Sequence, residues 1–136
     1  MIDSTKQSIN LNEIRLDPLD SNLFGLTAQK VAVVIHYEKQ SKLNASTQLR
    51  RFYDELVMWN DRVQLADNPD AKYAELIPFI QMIRAKVAYA KGRGLIDDNF
   101  CSLMNCLLSE VKNVKTLNYA KLFLEAMMGF KKGLEK

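Results

Sequence analysis

A chain of 136 residues, 48% hydrophobic and 26% charged, has the make-up of one folded domain and is too short for two. Its apolar runs stay far below the roughly 18 residues of a membrane span, and its first residues lack a basic stretch followed by an apolar one, so a cytoplasmic protein with no membrane role is expected. The formal net charge is only +3, yet residues 76–96 carry four bases and no acid, while the stretch around Asp97, Asp98 and Glu110 is acidic and the last 26 residues are basic again. If the basic blocks share a face, that face attracts a polyanion.

Residues 1–22 mix Ser, Asn, Asp and Gln with apolar residues at no sustained period and read as a flexible lead-in, with 23–136 as the folded domain. Ala28, Val31, Val34 and Ile35 predict a helix over 27–40. The run from Val31 to Tyr37 would also pass as a strand, but nothing downstream offers it a partner. After a loop at 44–46, Leu49, Phe52, Leu56, Trp59 and Val63 recur every three or four residues in a helix over 46–66, which Ser46 or Thr47 is suited to cap. Arg50 and Arg51 fall on opposite flanks of that stripe. Each stands four residues before an acid, Asp54 or Glu55, so ion pairs within the helix are the plain expectation. Asn68-Pro69 ends this helix and opens the next, and Pro78 either kinks that one or starts another.

Between Pro78 and Gly94, Phe79, Ile80, Ile83, Val87 and Ala90 form a buried stripe, with Lys86 and Arg93 on one side and Arg84 and Lys91 on the other. No acid lies between Glu75 and Asp97, so these cations have no partner in their own helix. Two readings stand: a solvated helix end, where Lys91 and Arg93 complement the dipole beside Gly92 and Gly94, or an anion-binding surface. Asp97 or Asp98 caps the following helix, whose Phe100, Leu103, Met104, Leu107, Leu108 and Val111 make a wide apolar stripe. The last helix begins near Thr116 and turns Ala120, Phe123, Met127, Phe130 and Leu134 inward, leaving Lys121, Lys131 and Lys132 outside. No segment alternates with period two. The fold is therefore predicted to be all-α, a single compact bundle of about five helices.

Chemistry that needs convergent titratable groups is not in view. The one histidine, His36, lacks the spacing of a di-iron or zinc-protease motif, and Cys101 and Cys106, five apart, suit neither a disulfide nor a metal pair. No phosphate-cradling Gly motif follows a strand. We expect no catalytic activity, no cofactor and no metal. A helix-turn-helix reading would present the helix after Asp97 to a DNA groove, but that helix opens with two acids and carries no base until Lys112.

Three stretches, in order, carry a family resemblance. They are Ser46-Thr47-Gln48-Leu49-Arg50-Arg51-Phe52-Tyr53, the run from Lys86 through Tyr89, Lys91 and Gly92 to Arg93, and Tyr119-Ala120-Lys121-Leu122-Phe123-Leu124-Glu125-Ala126. Together they resemble the small helical subunit of type III-A CRISPR effector complexes, the Csm small subunit, across residues 46–130. Leu122 and Leu124 stand where that family often has a second aromatic, a departure that touches packing more than charge. The resemblance implies a non-catalytic subunit of a ribonucleoprotein. Copies would stack head to tail in a minor filament, beside other Csm subunits, along guide and target RNA. It points to Arg50, Arg51, Lys86 and Arg93 as phosphate contacts, to which the charge map adds Lys91 and Lys121. Their contacts would be independent of sequence, since base pairing with the guide supplies specificity. The alternative is a helical protein-interaction adaptor with no direct nucleic-acid contact, marked by an exposed apolar patch.

Overall fold

The computed structural model describes residues 8–37 and 41–135. Six α-helices follow in order: α1 (Ala28–Ile35), α2 (Ser46–Gln64), α3 (Pro69–Gln81), α4 (Ile83–Gly92), α5 (Asp98–Glu110) and α6 (Val114–Leu134). No strand occurs among the described residues. Pro78 lies inside α3, and the interruption comes one turn later, at Met82. Taken as one broken helix, α3 and α4 leave the five-helix bundle that the periodicity predicts.

The last helix is the hub. Its Leu117, Ala120, Phe123, Leu124 and Met127 are all at most 1% exposed, and α1, α2, α3 and α5 each pack on it. Phe52 of α2 and Phe100 of α5 meet with ring centroids 5.8 Å apart, closing the core from the other side. Helix starts follow local chemistry. Asn68 and Asp97 accept hydrogen bonds from the backbone N–H of Ala71 and Phe100, and Asn113 with Thr116 forms a capping box before α6.

Several expectations need correction. The helix expected over 27–40 is α1, entered through a π-helical turn at Leu23–Thr27 and ended at Ile35, where His36 is already extended. The predicted end at residues 38–40 lies outside the described residues. Of the lead-in, residues 1–7 also lie outside them. From Ser8 onward it is strapped to the bundle: Ile14 and Leu16 are 1% and 0% exposed, and the Leu16 N–H donates to Glu110 Oε1 at 3.3 Å. Neither Ser46 nor Thr47 caps α2, because Ala45 occupies that place with no side-chain bond. The buried Asn44 organises this corner instead. At φ 55° it donates from Nδ2 to the Ile35 carbonyl and accepts at Oδ1 from the Asp97 N–H, so one side chain ties the end of α1 to the start of α5.

Ser46 turns its hydroxyl elsewhere. It donates to Glu135 Oε2 at 2.6 Å and accepts from Lys131 Nζ at 3.0 Å. Lys131 is therefore inside, 5% exposed, whereas Phe130 and Leu134, expected inward, are 36% and 37% exposed. The reason is helical drift: one turn beyond Met127 the inward direction falls on residue 131, and Ser46 and Glu135 supply the partners a buried ammonium requires. Burial pulls the Lys131 ammonium below its usual pKa, against the opposing pull of Glu135. The Ser46 and Lys132 hydrogen bonds hold the Glu135 carboxyl down at about 2, from its ordinary 4.5. A depressed folded pKa contributes stability that is complete above the ordinary value and is lost as pH falls through the folded one. Glu135→Gln is thus expected to be less stable than wild type at neutral pH, with the difference closing between pH 4.5 and about 2. Thermal melts followed by circular dichroism across that window check it.

Candidate nucleic-acid interface

The six candidate cations separate into three places. Arg51 of α2, Lys86 of α4 and Arg93, the residue that caps the end of α4, converge on one open groove of about 590 Å³, together with Gln48, Glu55 and Tyr89. The seven-residue spacing puts Lys86 and Arg93 two turns apart along α4, and Arg51 faces them because it lies on the flank of α2 that turns toward α4. Arg50, one residue earlier, lies on the opposite flank. It lines a second groove, of about 500 Å³, with Tyr53, Glu125 and Lys132. Lys121 belongs with that side, and Lys91 with neither.

Charge pairing distinguishes these places. Arg50 Nε is 3.1 Å from Asp54, as the spacing predicts, and Lys121 is 3.3 Å from Glu125. Glu125 also accepts from Tyr53 Oη, and burial, followed by the nearby Glu125 charge, raises the Tyr53 pKa. Lys132 is 3.1 Å from Glu135. Every cation of the second groove thus has an acid beside it. Lys91 is 2.7 Å from Asp98, and that carboxylate pushes its pKa up. Arg84, on the same side of α4, donates to Asn105 of α5.

The first groove is different. The expected Arg51–Glu55 pair is absent, since Glu55 receives Lys86 Nζ from across the groove at 2.9 and 3.0 Å and also accepts from Trp59 Nε1. Among the described residues Arg51 makes no ion pair. Nor does Arg93 pair with an acid among them; its Nη1 donates to Tyr89 Oη at 2.9 Å. Three cations therefore stand against one carboxylate, in a concave setting that focuses positive potential. The Lys86 end of this pair is half-exposed and the Glu55 end is 20% exposed, so solvent screens the pair in part.

The sequence also hid a feature of the same wall. Phe79, Met82, Lys86, Tyr89 and Arg93 follow one another at spacings of three and four on the exposed side of α3 and α4. Phe79, Met82 and Tyr89 are 52%, 57% and 65% exposed. Phe79 stacks on Trp59 with centroids 6.1 Å apart, and Arg62 lies 5.3 Å from the Trp59 ring. Phe79, expected in the buried stripe with Ile80 and Ile83, instead begins this exposed one, because it stacks on the partly exposed Trp59.

No helix among the described residues is long and apolar enough to cross a membrane, and no cluster of three or more His, Cys, Asp or Glu that could hold a metal occurs among them. The family model described as Csm2 Type III-A matches residues 20–136. No curated protein and no solved structure matches the chain.

Proposed function

Because the chain belongs to the Csm2 type III-A family, and so is a subunit of a type III-A CRISPR complex, we propose that it acts there without catalysis, holding the phosphate backbone of guide or target RNA in the groove between α2 and α4. The observation that carries this reading is the convergence of Arg51, Lys86 and Arg93 on one concavity, with Glu55 as the only acid among the described residues that line it. Lys and Arg in such a groove neutralise phosphates and release counterions, which gives affinity without sequence preference. Arg50, Lys91 and Lys121, already neutralised by Asp54, Asp98 and Glu125, are weaker contributors. Such a subunit would work in the cytoplasm, with copies stacked head to tail beside other Csm subunits. That heterologous arrangement suits a chain whose two grooves differ in charge.

The rival reading is a protein-interaction adaptor, favoured by the exposed Phe79 and Met82. The two differ in salt dependence. Binding of labelled RNA at about 50 and about 200 mM salt, for wild type and for reversals in each groove, separates them. RNA contact predicts a steep salt slope that the first groove alone controls.

A further inference from the structure

Resting on that reading, we propose that the groove takes RNA with unpaired bases, and that one base stacks on Tyr89. The phosphate contacts explain the cations but not the ring. Tyr89 is 65% exposed in the middle of the basic wall, one turn from Lys86 and one turn from Arg93. Arg93 lies over the ring toward its hydroxyl end, with the guanidinium carbon 5.7 Å from the centroid and Nη1 2.9 Å from Oη; it fixes the ring from one side, and the exposure of the residue leaves ring surface open for a base. Cations alternating with exposed aromatic faces along one groove are what a single strand requires, because backbone and bases then find partners at successive positions. The interior of a duplex cannot use Tyr89 this way, since its base faces are covered by one another and only the two end pairs offer a free face. Gln48, on the facing wall, has an amide able to meet the edge of a stacked base.

The test uses the full chain and three probes of equal length: a single-stranded RNA, the same strand with abasic sites, and a blunt RNA duplex. Tyr89→Leu removes the ring and Tyr89→Phe keeps it; both lose the hydrogen bond from Arg93, and the abasic strand controls for the Arg93–ring contact that only Tyr89→Leu removes. We expect Tyr89→Leu to weaken single-strand binding about tenfold, within the range for base–aromatic stacking. It should leave the abasic and duplex probes unchanged, and Tyr89→Phe should stay near wild type. Equal losses on base-bearing and abasic strands, or no loss, would overturn the stacking while the phosphate groove stands, provided Arg51→Glu/Lys86→Glu weakens all three probes. If that double reversal changes nothing, the groove reading itself fails. Self-association that Tyr89→Leu abolishes, with RNA binding intact, would assign the stripe to a second copy instead.

Discussion

Reversing Arg51, Lys86 and Arg93 to glutamate together is expected to weaken RNA binding by at least about a hundredfold at low salt and to flatten its salt dependence. Each phosphate neutralised on a single strand contributes about 0.7 to the log–log slope, and on a duplex about 0.9. Three contacts thus account for roughly a 20- to 40-fold loss of affinity over a fourfold rise in salt, and that is the part of the slope the variant should lose. The side chains are exposed, so the fold should survive, as circular dichroism would register. Reversing Arg50, Lys121 and Lys132 changes the same formal charge on the other groove and should cost far less, since those groups already face acids at 3.1 to 3.3 Å. Glu55→Gln is expected to act in the opposite direction. It removes the one carboxylate that competes for Lys86 while keeping an acceptor for Trp59 Nε1, and it should tighten binding severalfold. Equal losses from both triple variants would reduce the effect to overall charge and remove the groove from the account.

Phe123→Ala is expected to have the largest effect on stability. Phe123 is fully buried at the centre of α6, the helix on which four others pack. Removing its ring leaves a cavity that a helix held on so many sides cannot close, at a cost of about 3–5 kcal/mol. Total stability for a domain of this kind is about 5–15 kcal/mol, so the midpoint of urea unfolding should fall by a large fraction. Phe79→Ala, a ring 52% exposed, should cost under about 1 kcal/mol. A small loss for Phe123→Ala would mean that α6 is not the element the bundle is built around.

The helices were legible because each is fixed by its own residues: the apolar period of Leu49 to Val63, Pro69 after a capping Asn68, and Asp97 before Phe100. What escaped sequence reasoning depends on residues far apart in the chain. Glu55 was expected to take Arg51, four residues before it, but that base-before-acid order is the weaker one in a helix, and Lys86, 31 residues away, takes it instead. Lys131 was expected outside, as lysines usually are; Ser46, 85 residues away, makes its burial tolerable. The site shows the same division. The pairing of Lys86 with Arg93 and the split of Arg50 from Arg51 onto opposite flanks follow from spacing, whereas which of the two arginines faces Lys86 depends on the packing of α2 between its neighbours. Lys91 joins the candidates by charge alone; the spacing already puts it with Arg84 on the other side of the α4 stripe, and there it meets Asp98 of α5.

The most direct test of the central claim is a backbone amide NMR titration of the full chain with a short single-stranded RNA. The largest shifts should cluster on residues 48–55 of α2 and on residues 86–95 of α4 and the turn after it, and the side-chain signal of Trp59, the single tryptophan of the chain, should move as its acceptor Glu55 releases Lys86. Shifts centred on Arg50, Glu125 and Lys132, with the α2–α4 groove unmoved, would contradict it.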